Sequence, residues 1–300
     1  MSENPIRISA ASSATHFTRT RKAITMATWL ITGCSTGLGR ALASAVLDHG
    51  ETVVVTARDV ASVEDLARSH PDTALALSLD VTDHAQGRDV VRAAQERFGT
   101  IDVLANSAGH GYRAAVEEAE QDQVQELFAT NFFGPAALIQ AVLPGMRERR
   151  SGTIVNISSV GAHSSPVGAG HYAASKAALE ALTACLRKEV QPLGITVMAV
   201  EPGAFRTNYK RSLAQSREAI SDYADTVGAR RNEDPTEDAH QPGDPARAAQ
   251  AIITAVHSPS TPLMLVLGPD ALTWFRDAMK ELNAGVDAWE QTSLSTSFAG

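Results

Sequence analysis

Cysteine is nearly absent from this 300-residue chain: Cys34 and Cys185 are the only two. They stand far apart and lack metal-ligand spacing. A disulfide framework and a cysteine-ligated metal are therefore set aside, and two reduced thiols in a cytoplasmic protein are expected. Long apolar runs are also missing. No unbroken stretch approaches the ~20 residues that span a bilayer, so no membrane partner is expected. Basic excess is lacking as well, with 26 Lys and Arg against 34 Asp and Glu and a formal net charge of -8. The charges are interspersed, leaving no basic face to neutralise phosphates, so no nucleic-acid partner is expected. Internal repeats and a linker between two cores are absent too, which points to one domain. What is present, 44% hydrophobic residues, is enough to bury a sizeable core.

The first residues differ from the rest. Met1–Thr25 carries Arg7, Arg19, Arg21 and Lys22 against one acid, Glu3, and is rich in Ser, Thr and Ala. It lacks the apolar core of a secretory signal, while its composition matches a transit peptide. The plainer reading is preferred: residues 1–26 are a disordered extension or a mis-started segment with Met26 as the true first residue, because the fold begins directly after it.

From Ala27 onward, short β-branched runs alternate with helical stretches. Strands are expected near residues 29–32, 52–56, 74–79, 101–105, 153–157, 195–200 and 263–267. Helices are expected near 38–49, 60–69, 83–98, 121–149 (as two), 173–191, 245–257 and 271–283. Such alternation implies right-handed crossovers and a parallel sheet covered on both faces. The expectation is an α/β, doubly wound, three-layer single domain over 27–283. A polar, turn-rich segment at 206–244 breaks the rhythm, and 284–300 reads as a Ser/Thr-rich tail containing Trp289 and Phe298.

The first strand runs into Thr32-Gly33-Cys34-Ser35-Thr36-Gly37-Leu38-Gly39, followed at once by a helix. Glycines at such a turn let the backbone approach a pyrophosphate, and the helix N-terminus offers free N–H groups and a positive dipole end. Alone, a glycine cluster is weak; its place after strand one of a βαβ series strengthens it. At the end of strand two, where an acid would accept from the ribose 2′-hydroxyl of NAD, stands Ala57, followed by Arg58 and Asp59. A guanidinium suits a 2′-phosphate, and Asp59 reads as a helix N-cap. NADP(H) is therefore the preferred cofactor, with NAD(H) as the alternative. Asp80-Val81 and Asn106-Ser107-Ala108-Gly109 lie at the ends of strands three and four, and both read as cofactor wall.

Tyr172 and Lys176 lie four apart, on one helix face. A free phenol titrates near 10, too high for efficient proton transfer at neutral pH, and a nearby ammonium and an oxidised nicotinamide would lower it. Ser159, thirteen residues before Tyr172 and at the end of strand five, offers a hydroxyl to the reacting oxygen.

Together these residues resemble the short-chain dehydrogenase/reductase family, over roughly residues 27–267. Thr32–Gly39 is similar to its glycine motif, Asn106–Gly109 to its Asn-Asn-Ala-Gly motif with Ser107 as the one departure, and Tyr172–Lys176 to its Tyr-x-x-x-Lys. The resemblance implies a Rossmann-like fold and an NADP(H)-dependent oxidoreductase interconverting a carbonyl and an alcohol. It places the catalytic serine on Ser159 rather than Ser158, and a proton-relay asparagine on Asn131. Pro202, Gly203 and Thr207 fall on the segment that contacts the nicotinamide carboxamide. A substrate lid is implied over about 205–243, with Phe205, Tyr209 and Tyr223, helped by Val167 and Tyr112, as a pocket lining or as ordinary lid packing. His110 and His163 either touch substrate or, as the more ordinary case, face solvent. A homodimer or homotetramer through the helices near 132–149 and 173–191 is implied, the second carrying an Ala-rich face. Trp289 and Phe298 would cap a neighbour or pack on their own subunit. Two other readings, a cofactor-sensing regulator without turnover and a non-redox enzyme such as a dehalogenase, are disfavoured by the intact Ser159, Tyr172 and Lys176 set and by the undisturbed glycine turn.

Overall fold

Strands that are apolar without alternation must be covered on both faces, and the molecule covers them so. The computed structural model describes residues 26–209, 213–233 and 239–298, and the charged extension 1–25 lies outside the described residues. In chain order the elements are β1 (Thr28–Ile31), α1 (Gly37–Asp48), β2 (Thr52–Ala57), α2 (Glu64–Ser69), β3 (Ala74–Ser78), α3 (His84–Phe98), β4 (Val103–Asn106) and β5 (Tyr112–Arg113). Then come α4 (Gln121–Phe128), α5 (Gly134–Arg149), β6 (Gly152–Ile157), α6 (Gly161–Ser164), α7 (Gly170–Val190), β7 (Ile195–Pro202) and β8 (Ala214–Gln215). The chain closes with α8 (Ala229–Arg231), α9 (Pro245–His257), β9 (Met264–Leu267), α10 (Pro269–Ala288) and α11 (Glu290–Leu294).

Seven parallel strands form one sheet in the order β3-β2-β1-β4-β6-β7-β9. Trp29 and Ile31 point to the layer of α1 and α9, while Leu30 between them points to α3, α5 and α7. Val53, Val54 and Val55 are all 0% exposed, each burial contributing roughly 1.5–3 kcal/mol. The strand order reverses between β1 and β4, and a doubly wound sheet opens a crevice at such a point, beyond the carboxyl ends of its strands.

Four features depart from expectation. The stretch 121–149 is one helical run rather than two helices: α4 passes into α5 through a π-turn, Ala129–Phe133. That 29-residue run is long and apolar enough to cross a membrane by length and composition. Its Leu138, Ile139, Val142 and Met146 are buried against the sheet. Helix α7 begins at Gly170 rather than 173, which sets Tyr172 in its first turn. The boundary drawn at 283 falls inside α10, which continues to Ala288. Trp289 (67% exposed) and Phe298 (103%) both stand exposed to solvent. The small parallel pair β5·β8, which ties the lid to the segment after β4, has no signature in two residues of sequence.

Candidate active site

The glycine turn between β1 and α1 is held by its neighbours. Thr32 Oγ1 accepts the N–H groups of Ser107 and Ala108, each at 3.0 Å. Gly33 has φ +71°, and a Cβ there would lie 2.8 Å from Ala108 Cα. At Gly39 a Cβ would lie 2.4 Å from the Gly33 carbonyl oxygen, so a side chain would break the turn. Thr36, the N-cap of α1, makes no side-chain capping bond, and no acid stands in the first turn. The helix thus presents free N–H groups, a cradle that fits a dinucleotide pyrophosphate.

That turn opens onto a cavity of about 1040 Å³. Gly33, Ser35, Thr36, Gly37, Leu38, Gly39, Arg58, Asp80, Val81, Ala108 and Gly109 line it, as do Ser159, Tyr172, Lys176, Pro202, Gly203 and Thr207. Arg58 stands exposed at the end of β2. Asp59 accepts from Ala61 N at 3.1 Å and caps the turn that follows, as its plainer reading had it. The hydroxyl and N–H of Thr82 hold the Asp80 carboxyl below its ordinary value, with Arg58 adding to the effect.

Three residues assigned to cofactor or relay from sequence sit behind the cavity wall instead. Thr32 spends its hydroxyl on the loop after β4. Asn106 is 2% exposed and donates to Asn156 Oδ1 at 2.9 Å; its own Oδ1 has no hydrogen-bond partner among the described residues. Asn131, fully buried in the π-turn, clamps both backbone groups of His110 (3.1 and 3.0 Å) and donates to Ser175 Oγ at 3.1 Å. Gly109 separates Asn131 from Lys176: a Cβ there would lie 3.1 Å from Asn131 Oδ1 and 3.3 Å from Lys176 Nζ.

Ser159, Tyr172 and Lys176 meet on the cavity floor. Strand β6 ends at Ile157, so Ser159 lies two residues past it rather than on the strand. Ser159 Oγ accepts from Gly161 N at 3.1 Å and hydrogen-bonds the Tyr172 hydroxyl. Ser158 turns away, its hydroxyl donating to Glu180. Lys176 Nζ donates to the Ile157 carbonyl at 2.9 Å and lies 5.9 Å from the centre of the Tyr172 ring. Burial lowers this ammonium to about 8, against the opposing charge of Glu180. In the protein alone, burial raises the Tyr172 phenol above its ordinary value and outweighs the hydrogen bonds from Ser159 and Tyr209 that lower it.

The lid residues divide. Phe205 and Val167 line the cavity. Tyr209 also lines it, and its hydroxyl bonds that of Tyr172. Tyr112 lines it too, but its hydroxyl is committed to Glu120, and burial followed by that carboxylate raises it to about 12. Tyr223 lies outside the cavity lining, bonded to Glu117 at 2.7 Å. His110 lines the cavity, with burial lowering its pKa. His163 does not line the cavity and is partly exposed: its Nε2 lies 2.8 Å from Glu180 and 3.4 Å from Glu201, and its ring meets that of Phe275 edge-on. Burial pushes Glu201 up to about 8.

Sequence reasoning missed Arg113, Arg230 and Glu233, which also line the cavity. Arg113 donates to the Arg230 carbonyl and pairs with Glu233 at 2.9 Å across 120 residues. Glu118 bonds Ile220 N and Arg231 in the same way. Nothing in the local pattern marks such pairs.

The chain matches the short chain dehydrogenase family over residues 27–218. It is 33% identical over 269 residues to the oxidoreductase BOA17 of Botryotinia fuckeliana, covering 89% of this chain and 98% of that one. It is similar to the crystal structure of a short-chain dehydrogenase from Streptomyces avermitilis, with TM-score 0.85, 43% identity and coverage of 92% of this chain and 100% of the other. The fold is also shared with a short chain dehydrogenase/reductase from Burkholderia phymatum in complex with NAD, with TM-score 0.77, 21% identity and coverage of 88% and 97%. With its seven-stranded parallel sheet and its glycine turn, this chain belongs to the short-chain dehydrogenase/reductase family and is an oxidoreductase.

Proposed function

We propose that the protein transfers hydride between NADP(H) and a carbonyl or secondary alcohol, with Tyr172 exchanging the proton. The observation that carries this reading is the meeting of the Ser159 hydroxyl, the Tyr172 phenol and the Lys176 ammonium beside the glycine turn. The nicotinamide supplies or accepts the hydride when bound. Gly33, Gly37 and Gly39 with the first turn of α1 would hold the pyrophosphate, and Arg58 would pair with a 2′-phosphate. Pro202, Gly203 and Thr207 would border the nicotinamide.

In the reducing direction, the Ser159 hydroxyl donates to the substrate oxygen and stabilises the charge that develops there. Tyr172 gives that oxygen its proton; in the oxidising direction the tyrosine takes it back. Lys176, held by the Ile157 carbonyl, supplies the positive charge that lets a buried phenol ionise. Asn131 acts by fixing the His110 backbone and Ser175 beside that lysine. Phe205, Val167 and Tyr209 surround the substrate as a medium-sized, largely apolar wall. Two free cysteines fit a cytoplasmic location. Ala174, Ala177 and Ala181 form an exposed, smooth stripe on α7, suited to close helix packing in a homodimer or homotetramer.

The test is NADPH consumption, followed at 340 nm against a panel of carbonyl compounds. Turnover is expected in the parent chain and loss of about a hundredfold or more in Tyr172→Phe, with NADPH binding retained. Full turnover in that variant removes the assigned role.

A further inference from the structure

A second cluster of ligand-type side chains lies at the opposite end of the sheet, at the amino end of β2. Glu51 precedes that strand, His49 follows α1, and His257 is the last residue of α9. Glu51 is 3% exposed, and the Trp29 indole N–H donates to its Oε2 at 2.5 Å. The other oxygen, Oε1, lies 2.8 Å from His257 Nε2 and 3.6 Å from His49 Nδ1. The two imidazoles stack, their centroids 5.5 Å apart and their planes 19° from parallel. All three donor atoms fall within 4.8 Å of one another.

A carboxylate withdrawn from water needs a compensating charge. Among the described residues, the ion-pair partners of Glu51 are the two histidines, with no Lys or Arg. One dication held by the two imidazole nitrogens and the carboxylate would supply that charge. We propose that His49, Glu51 and His257 form a binding site for a divalent transition-metal ion of the zinc type. Zinc bonds of about 2.1 Å in tetrahedral geometry separate neighbouring donors by about 3.4 Å, a value that the two distances to Oε1 bracket. Trp29 orients the carboxylate from behind, as outer partners of metal ligands do. The histidine side chains, 51% and 28% exposed, leave an entry path and room for a water as fourth ligand. A bound ion would clamp the C-terminal ends of α1 and α9, which pack side by side on the sheet.

The experiment uses the full chain without a histidine tag, stripped by chelator. It is titrated with ZnCl₂ by calorimetry and with Co²⁺ by visible absorption. The proposal expects saturable binding of one Zn²⁺ at this site, ligand-field bands from Co²⁺, and a rise in Tm on adding Zn²⁺. His49→Ala and His257→Ala should each weaken binding about tenfold or more and remove the Tm rise, while turnover is unchanged. Both histidines are partly exposed, so these variants keep the fold; Glu51→Gln, similar in shape, is the second check. Absence of saturable binding in the parent chain overturns the proposal. Equal affinity in the His49→Ala/His257→Ala double variant overturns it as well, because the ion then sits elsewhere.

Discussion

Replacing Glu118 with alanine should loosen the segment 205–243, which the family resemblance implies is a lid, while leaving the sheet folded. This carboxylate is 7% exposed and accepts three bonds: from Ala115 N and Ile220 N at 2.8 Å each, and from Arg231 at 2.5 Å. The last two cross from the segment after β5 to the lid. Breaking a buried, hydrogen-bonded ion pair costs roughly 3–5 kcal/mol. Arg231 keeps its bonds to the Ser216 and Glu218 carbonyls, so the loss should fall near the lower limit, about 3 kcal/mol. Since each 1.4 kcal/mol is tenfold, lid opening should rise about a hundredfold. Burial alone would raise the pKa of this carboxyl, but the two N–H groups and Arg231 outweigh it and hold it below the ordinary value. A depressed carboxyl stabilises the folded state fully above its unfolded pKa and loses that contribution as pH falls through the folded one. The latch should therefore weaken below about pH 4. Hydrogen exchange at the Ile220 amide and limited proteolysis within 205–243 read the opening directly. Unchanged exchange and unchanged cleavage in Glu118→Ala would refute the reasoning and leave the ion pair a bystander.

Other substitutions probe the remaining assignments. Arg58→Asp would remove the proposed charge-assisted bond to a 2′-phosphate and should shift cofactor preference toward NADH by about ten- to a hundredfold; equal selectivity in steady-state kinetics would count against the proposed NADP preference. In Gly39→Ala, the new Cβ would meet the Gly33 carbonyl at 2.4 Å. A displacement near 1 Å costs about a hundredfold, so fluorescence titration should show NADPH affinity falling by that order while circular dichroism is unchanged. Ala177→Arg places a charge on the exposed α7 stripe and should lower the mass found by light scattering. A parent chain already monomeric would refute the oligomer reading.

Much of the site was legible in the sequence because its parts are local. Gly33, Gly37 and Gly39 serve one turn, and Tyr172 and Lys176 share one helix face. Ser159 lies at a strand end that β-branched runs locate to within two residues. That the side chains of Asn106 and Thr32 turn away from the cavity was not legible, because position along a strand does not reveal which side groups turn inward. Their partners, Asn156 and the Ser107–Ala108 backbone, come from neighbouring strands. The surroundings of His163 were not legible for the same reason: Glu180, Glu201 and Phe275 come from three other elements. The phenol of Tyr172 was expected to be lowered by its lysine together with an oxidised nicotinamide; the protein alone, through burial that only packing decides, raises it.

By itself, then, the order of residues determined the alternation of strand and helix, the glycine turn and the helical spacing of the tyrosine and lysine. Each of these is a steric or periodic constraint that operates within a few residues. Only the tertiary structure decided that His163 lies against Glu180 and Glu201, that Glu118 ties the segment after β5 to Ile220 and Arg231, and that His49, Glu51 and His257 converge on one point. Such contacts join residues as much as about two hundred positions apart, and their geometry is set by how the crossovers pack the layers, for which no local pattern exists.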